Sequence, residues 1–512
     1  MSDASADAVA DLAARLEIAR DATPRTSSAP APPARECIHR LLDPGSFVEV
    51  GTLATSDRLA DAATTPGDGK IGGHGRINGR PVTVVADDAR IKRASTATVA
   101  AAKVHRLYEQ AERAGNPFIY LGQTGGARIP DTLGARGHSR MDPMTYMSRR
   151  NRAIPLVSAI IGESFGGSSL VSALSDLTVQ LRGSCLAVTS PLVIAEATGE
   201  EPTFDELGGV DVHAKRTGQI DIAADTLDEL SIAVRKFLEF LPSNSWSTRV
   251  CETEHPPLDR DERLRHVVPG NLRSPYDVRR LLDLLIDDAD FLELRPGVGA
   301  GVVTGLAAIN GHSVGVVASQ PLRTAGALTP QGCDKIVRLL CTCDAFGVPV
   351  VILQDTPGFM VGTNVEHERM LFKAMMLHQA VALASVPILT VIIRKSYGLA
   401  TACLGGAGMG TDSIFAWPGA QIGFMDPQVA ARVLNRRELD AMDPGERDRA
   451  TREHAEALSQ DNSIYAAAAL MRVDEIIDPA DTRAILGGRL HDLSNGRSTG
   501  RRSVLATWPN SW

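Results

Sequence analysis

The chain has 512 residues, of which 44% are hydrophobic and 22% charged, so a large core can form and disorder over the whole length is excluded. Lys and Arg total 53 against 61 Asp and Glu, which gives a formal net charge of −8. This balance and the 4% aromatic content argue against a dedicated nucleic-acid binder, which needs a basic face and stacking rings. The apolar runs are far shorter than the ~20 residues of a membrane span, and no secretory signal is visible. We therefore expect a cytoplasmic enzyme.

The seven cysteines are scattered and include no Cys-x-x-Cys pair, so neither a disulfide framework nor a zinc site is expected. Cys341 and Cys343 are interpreted as buried thiols, and residues 366–368 (EHE) as an exposed helix face. No metal is predicted for this chain.

Three segments are predicted along the chain. Residues 1–33 combine a helix, with apolar residues at helical spacing, and a proline-rich linker. The rest is expected to form two domains, 34–250 and 251–512, which meet in a polar stretch that contains prolines.

The two large domains repeat each other at a constant offset of 232 positions. Asn78 matches Asn310, Pro117 matches Pro349, and the offset persists to Gly166 and Gly398. A gapless match over this length indicates tandem duplication of a whole domain, since the period is far too long for a solenoid.

Each copy alternates short β-branched or apolar runs with helix-like segments, which predicts an α/β fold with buried sheets. Helices are expected at 98–111 and 334–343. The predicted strands lie at 82–86, 118–121 and 155–161 in the first copy and at 314–318, 350–353 and 387–393 in the second.

Two kinds of glycine-bearing turn recur in each copy, each after a buried strand and before a predicted helix. They lie at 123–128 and 164–169 in the first copy and at 355–359 and 396–401 in the second. Because the first N–H groups of a helix lack intrahelical acceptors, such turns can form oxyanion holes. Glycines that merely permit tight turns explain the same pattern about as well.

Residues 162–166 (GESFG) also match the G-x-S-x-G pattern of a hydrolase nucleophile elbow. Ser164 would be the nucleophile, and His213, His255, His266 and His312 are available as partners. The second copy keeps Ser396 but has Arg394 in place of Gly162, so we expect the match to be a coincidence of a short pattern.

Arg90, Lys92 and Arg93 form a compact basic cluster after a predicted strand. Such a cluster is either a solvated loop or a clamp for the phosphates of a nucleotide-bearing substrate such as coenzyme A.

Motifs spread from about residue 34 to 477 resemble the carboxyltransferase (β) subunits of biotin-dependent acyl-CoA carboxylases of the propionyl-CoA carboxylase type. They lie at 41–47 (LLDPGSF), 125–129 (GGARI), 205–209 (DELGG), 355–359 (DTPGF), 394–398 (RKSYG) and 416–418 (AWP). The resemblance implies two tandem crotonase-like ββα-spiral domains, assembled as a homohexamer with active sites between subunits.

The resemblance also implies carboxyl transfer from carboxybiotin to the α carbon of an acyl-CoA through a thioester enolate held by backbone oxyanion holes. The acyl-CoA side would be the first domain and the biotin side the second. The implied catalytic residues are Gly166, Gly167, Leu399 and Ala400; the substrate-binding residues are Gly125, Gly126, Arg90, Lys92, Arg93 and Ala402; the biotin-binding residues are Gly358, Tyr397 and Gly398.

Several positions depart from the family pattern. Gln123 stands where the family has Asp, Arg93 where it has Gly, Leu399 where it has Gly, and Ala402 where it has Asp or Cys. Neither a biotinyl motif nor an ATP-grasp module is visible, so biotin carboxylase and the biotin carrier are expected as partners in trans. An acyl-CoA decarboxylase, with or without biotin, and a non-catalytic scaffold subunit remain alternatives.

Overall fold

A computed structural model describes residues 3–20, 32–247, 260–496 and 503–509. The chain divides into two compact units, Met1–Ser247 and Thr248–Trp512. Most of the predicted linker and the predicted domain boundary at residues 250 and 251 lie outside the described residues. Within the described residues, no helix is long and apolar enough to cross a membrane.

The described strands of the first unit are β1 (Val48–Glu49), β2 (Lys70–Ile77), β3 (Arg80–Asp87), β4 (Phe118–Gly122), β5 (Leu156–Ile160), β6 (Glu163–Ser164), β7 (Leu177–Leu181), β8 (Cys185–Leu186) and β9 (Ile222–Ala224). One sheet has the order β1-β2-β3-β4-β5-β7-β9, and β6 pairs with β8. The first two pairings are antiparallel and the later neighbours are parallel.

The helices of this unit are α1 (Asp3–Arg20), α2 (Ala34–Leu41), α3 (Leu59–Ala62), α4 (Thr98–Ala114), α5 (Ile129–Thr132), α6 (Gly134–His138), α7 (Thr145–Ser148), α8 (Gly167–Leu174), α9 (Pro191–Thr198), α10 (Phe204–Gly208), α11 (Val210–Val212) and α12 (Leu227–Phe240). The apolar core packs α4 against the sheet through side chains that are almost fully buried, including Leu107, Tyr108, Phe118 and Leu156.

The second unit contains β10 (Leu292–Leu294), β11 (Val302–Ile309), β12 (His312–Ser319), β13 (Val350–Thr356), β14 (Ile388–Tyr397), β15 (Ser413–Ala416), β16 (Gln421–Gly423) and β17 (Glu475–Ile476). The sheet order is β10-β11-β12-β13-β14-β15-β17, with β16 paired to β14. The two antiparallel pairings again come first and the parallel ones follow.

Its helices are α13 (Arg279–Leu285), α14 (Pro330–Phe346), α15 (Thr363–His367), α16 (Met370–Leu383), α17 (Leu399–Cys403), α18 (Pro427–Leu434), α19 (Arg436–Asp440), α20 (Pro444–Asp461), α21 (Ile464–Ala469) and α22 (Thr482–Gly496). Cys341 and Cys343 are fully buried in α14, and residues 366–368 are exposed, both as expected.

The 232-residue offset is visible in the strand register. Phe118 pairs with Leu156 and, 232 positions later, Val350 pairs with Ile388. The agreement ends at the next strand, where Val157 faces Leu177 but Leu389 faces Ser413. The duplication therefore sets the arrangement as far as β5 and β14, which are the strands that lead into the glycine turns.

Equivalent buried lysines on α4 and α14 fix loops of the two units. The Lys103 ammonium donates to the carbonyls of Gly51 and Lys70, at 3.0 and 2.6 Å, and that of Lys335 to Arg295 and Val298, at 3.3 and 3.1 Å. Burial lowers the pKa of each lysine to about 8.

We expect Lys335→Met to change how stability depends on pH. Between the folded-state pKa of about 8 and the ordinary value of 10.5, the unfolded chain keeps a proton that the folded chain has released, so Lys335 makes stability rise with pH. In this range, the free energy of unfolding of the wild type should rise relative to that of the variant by up to ~1.4 kcal/mol per pH unit. Urea unfolding of both proteins at pH 7 and pH 9.5 measures this gain, and a constant difference between them would refute it.

Candidate active site

Each unit brings two turns together at the ends of neighbouring parallel strands. In the first unit, turn A (residues 124–127) follows β4 and turn B (165–167) precedes α8. In the second unit, turn C (356–359) begins at the last residue of β13 and turn D (397–399) ends at the first residue of α17. The carboxyl ends of parallel strands are where α/β sheets bind ligands.

Turns A and B are in direct contact. The Phe165 N–H donates to the carbonyl of Thr124 at 3.0 Å. Gly166 has φ +61° and ψ −121°, a conformation open in practice to glycine alone. A Cβ at Gly166 would lie 3.4 Å from the Cα of Gly126 and 3.8 Å from the nitrogen of Ala127. The two turns are therefore in van der Waals contact, and the backbone conformation of Gly166 is what requires glycine there.

Hydrogen bonds divide the N–H groups of these turns into engaged and available ones. Those of Gly125, Gly126 and Gly166 already donate, to the Arg93 carbonyl (2.9 Å), the Thr124 hydroxyl (3.2 Å) and the Val188 carbonyl (3.2 Å). Within the described residues, the N–H groups of Ala127 and Gly167 have no acceptor. Gly167 is therefore the better placed of the two predicted donors, and Ala127 is a candidate that the sequence analysis did not select.

A buried ion pair fixes turn A. Arg128 donates to the carboxylate of Asp68 at 2.7 Å and to the carbonyl of Ser95 at 2.9 Å. The other Asp68 oxygen accepts from the Ala100 N–H at the start of α4, at 2.8 Å. Since Thr96 and Gly126 are also joined by a backbone hydrogen bond, turn A is tied to α4 on both sides.

Turns C and D repeat this arrangement in the second unit. Gly398 has φ +66°, and a Cβ at Gly358 would lie 3.6 Å from the Tyr397 carbonyl. The N–H of Gly398 donates to Gly423, whereas those of Leu399 and Ala400, both predicted as catalytic, have no acceptor in the described part of the chain. Available N–H groups are thus present at turn B and at turn D, which are equivalent under the 232-residue offset.

The predicted biotin-binding residue Tyr397 does not present its side chain. The ring is 1% exposed and its hydroxyl donates to Gln421 at 2.7 Å; burial raises its pKa well above the usual value. In this structure its contribution to a ligand site is limited to the backbone. Leu399 is half exposed and Ala402 half buried.

A buried carboxylate holds the strands beneath turns C and D. Asp355 accepts from the guanidinium of Arg394 and from the ammonium of Lys395, each at 2.7 Å. The corresponding position in the first unit is Gln123, which donates to the Asp87 carbonyl at 2.7 Å. There the buried ion pair is formed instead by Lys70 and Asp87.

The three cations predicted to bind phosphate each have an acidic neighbour. Arg90 forms a bidentate pair with Asp88, Lys92 lies 3.2 Å from Asp61, and Arg93 pairs with Glu163. They do not form the bare positive cluster that the sequence suggested. Their role in phosphate binding stays a prediction.

The serine hydrolase alternative finds no support at Ser164. Its side chain is fully buried, and its hydroxyl is hydrogen-bonded to Ser168. His213 is also engaged, with its two ring nitrogens 2.8 Å from the Leu186 carbonyl and 2.9 Å from the Thr217 hydroxyl, and burial lowers its pKa. In the second unit, the Ser396 hydroxyl is also buried and is hydrogen-bonded to other partners, the side chains of Gln354 and Thr401.

We expect Ser164→Ala to leave turnover within a few-fold of the wild type, because the lost hydroxyl supports the turn and faces no substrate. Steady-state kinetics measures this, together with a fluorophosphonate probe that labels nucleophilic serines. Loss of activity combined with wild-type labelling at Ser164 would restore the hydrolase alternative.

The carboxyl transferase domain family matches residues 32–501. The methylmalonyl-CoA carboxyltransferase 12S subunit of Propionibacterium freudenreichii subsp. shermanii is 34% identical over 472 residues, 91% of this chain and 89% of that protein. The carboxyltransferase subunit of propionyl-CoA carboxylase from Haloferax mediterranei is 36% identical over 478 residues, 91% of each chain.

The fold of the chain is also similar to that of a solved structure. The crystal structure of the transcarboxylase 12S hexamer with methylmalonyl-coenzyme A and methylmalonic acid bound has a TM-score of 0.87 and 32% identity, and the match covers 96% of each chain.

Proposed function

The chain belongs to the carboxyl transferase domain family, and we propose that it moves a carboxyl group from carboxybiotin to the α carbon of an acyl-CoA. The family resemblance and the tandem crotonase-like α/β fold expected from the sequence are confirmed. The observation that carries the proposal is the pair of available backbone N–H groups in each unit, at Ala127 and Gly167 and at Leu399 and Ala400.

The first unit is proposed to hold the acyl-CoA. An enolate forms when the α proton of a thioester is removed, and its oxygen carries the new negative charge. Two N–H groups that are already fixed in place stabilise this charge without reorganisation, which is the basis of an oxyanion hole. The N–H groups of Ala127 and Gly167 are suited to this task because the hydrogen bond from the Phe165 N–H to the Thr124 carbonyl, at 3.0 Å, joins turns A and B.

The second unit is proposed to hold the biotin ring. Biotin supplies a ureido group that carries the carboxyl group and, once decarboxylated, can take up a proton. The backbone of turn D would fit the ureido oxygen, because Leu399 and Ala400 offer two N–H donors and no acidic side chain lies in residues 397–400. Gly358 contributes close approach of turn C to turn D.

The partners are part of the same proposal. A biotin carboxylase and a biotin carrier protein would act in trans and deliver the carboxylated cofactor. We further propose a cytoplasmic homohexamer in which the first unit of one copy works with the second unit of a neighbour. The hexameric assembly of the transcarboxylase 12S relative supports this.

We expect the wild type to prefer an acyl group larger than acetyl. Ala402 places a methyl group where the family has Asp or Cys, and each extra buried methylene contributes ~0.8 kcal/mol. Ala402→Asp should shift the preference toward shorter chains by roughly 10–200-fold at most. The ratios of kcat/KM for acetyl-, propionyl- and butyryl-CoA, measured for both proteins, test this; a wild-type preference for acetyl-CoA would refute it.

The proposed function is tested by purifying the full chain from its host and probing for co-purified biotinylated protein with streptavidin. The complex is then assayed for ATP-dependent fixation of labelled bicarbonate with a series of acyl-CoAs. The proposal predicts fixation that depends on acyl-CoA and is blocked by avidin. Decarboxylation of an α-carboxyacyl-CoA without any biotinylated partner would favour the decarboxylase alternative instead.

A further inference from the structure

One ion pair crosses from turn A to turn B at the surface of the first unit. The backbone of Arg93 lies under turn A, since its carbonyl accepts from the Gly125 N–H at 2.9 Å. Its side chain then runs over Gly125, where the Cβ and Nε of Arg93 would lie 3.4 and 3.5 Å from an added Cβ. The guanidinium ends on Glu163, three residues before Gly166 of turn B.

The loop that carries Arg93 has the same backbone conformation in the second unit, but the equivalent position there has no cation. Lys92, Arg93 and Ala94 all have positive φ, from 49° to 53°. The equivalent positions, Thr324–Gly326, are also left-handed, with φ from 48° to 82°. Arg93 corresponds to Ala325, so the strained loop is shared by the two units and the cation is specific to the first.

The position of Glu163, the ion-pair partner of Arg93, also differs between the two units. Glu163 corresponds to Lys395, whose ammonium points inward to Asp355 at 2.7 Å and to the Leu272 carbonyl at 3.0 Å. Among the described residues, the equivalent pair across turns C and D is therefore absent. The cation belongs to the side of the chain proposed to hold the acyl-CoA.

The guanidinium of Arg93 is free to take a second carboxylate. Its side chain is 62% exposed, and within the described residues its Nε and one terminal nitrogen have no acceptor. An ion pair as exposed as Arg93–Glu163 contributes only about 0–1 kcal/mol, so a ligand can share or replace Glu163 at small cost. Guanidinium groups bind carboxylates through two parallel N–H donors.

We propose that Arg93 binds the carboxylate on the α carbon of an α-carboxyacyl-CoA, the group that is gained in carboxylation and lost in the reverse reaction. This inference rests on the proposed function, which places the thioester at turns A and B. The carboxylate carbon is two bonds from the thioester carbon, so the carboxylate lies beside those turns, where the Arg93 side chain crosses. Arg93 then distinguishes the carboxylated from the uncarboxylated thioester, a different task from the phosphate binding predicted from the sequence.

The test is a pair of binding measurements that need neither biotin nor turnover. Dissociation constants of methylmalonyl-CoA and propionyl-CoA are measured by calorimetry for the full-length chain and its variants. The quantity of interest is the dissociation constant of methylmalonyl-CoA divided by that of propionyl-CoA. Arg93→Met should raise this ratio by about 10–100-fold, the effect of losing a charge-assisted hydrogen bond. Arg93→Lys should restore part of the ratio, and Glu163→Gln should lower it by removing the competing carboxylate.

Arg90→Met and Lys92→Met are matched controls, because both cations lie on the same loop and each has its own acidic neighbour. If they bind phosphate, they weaken both ligands equally and leave the ratio unchanged. Equal weakening of both ligands by Arg93→Met, or no change, would overturn the inference while the proposed function stands. Failure of the wild type to bind either CoA ester would overturn the proposed function.

Discussion

Replacing Gly167 with proline is expected to lower kcat about 10²–10³-fold, which is the usual effect of removing one oxyanion-hole donor. Gly167 is the first residue of α8 and its φ is not positive. Proline is well tolerated at this position of a helix, because the missing N–H would have no intrahelical acceptor in any case. The substitution therefore deletes the proposed donor while the helix can still form.

Gly167→Ala is the matched control, since it adds a side chain at the same place but keeps the N–H. The nearest atom to an added Cβ is the Thr96 hydroxyl at 3.8 Å, an ordinary contact, so this variant should retain activity within a few-fold. Both variants should have melting temperatures close to that of the wild type. An equal fall in kcat for the two variants would show that the added side chain, and not the missing N–H group, lowers activity at position 167.

Replacing Asp355 with alanine is expected to destabilise the protein by about 3–5 kcal/mol, the typical effect of removing one partner from a buried ion pair. The carboxylate is 1% exposed and lies between the side chains of Arg394 and Lys395. Without it, two buried cations lose their counter-charge beneath turn D. The melting temperature should fall by roughly 6–20 °C.

Asp478→Ala is the control for this variant. Asp478 pairs with Arg260 and Arg265 in the same unit and accepts from the Ala480 N–H at 3.0 Å, so its loss should destabilise the protein by only about 1–2 kcal/mol. Calorimetric or fluorescence melting of the two variants measures the contrast. A fall for Asp355→Ala no larger than that for Asp478→Ala would contradict the structural role given to the buried carboxylate.

The repeat made the fold predictable from the sequence. The 232-residue offset places equivalent strands, helices and turns without any knowledge of tertiary contacts, and the register of β4 with β5 and of β13 with β14 follows it. The predicted strands and helices appear within a few residues of their expected bounds. Divergence begins after Gly166 and Gly398, where sequence matches also stop.

The hydrogen-bonding state of each N–H could not be predicted, because it depends on residues distant in the chain. The Gly166 N–H is engaged by Val188, which belongs to a loop that no motif marks. Ala127 lies inside the GGARI motif and is equivalent to Phe359 through the 232-residue offset. In each unit this residue forms a bridge to an earlier loop, and the repeat could have marked the position as a candidate. Glu163 likewise became significant only when its contact with Arg93 was visible.

The basic cluster shows a different limit of sequence reasoning. Three cations within four residues suggest a positive surface, yet Asp61 and Glu163 come from distant places in the chain to pair with Lys92 and Arg93. Local charge counts omit such partners. The buried hydroxyl of Tyr397 is a similar case, since its acceptor Gln421 lies on a different strand.

We propose that the reaction depends on backbone N–H groups in both units. This dependence can be measured by following the labelled carboxyl group of methylmalonyl-CoA onto a biotin carrier protein, with Gly167→Pro and its counterpart Leu399→Pro at the first residue of α17. The wild type, Gly167→Ala and Leu399→Ala should transfer the label, and each proline variant should slow transfer at least ~10²-fold. Transfer at the wild-type rate by either proline variant would show that the reaction does not depend on the N–H group at that position.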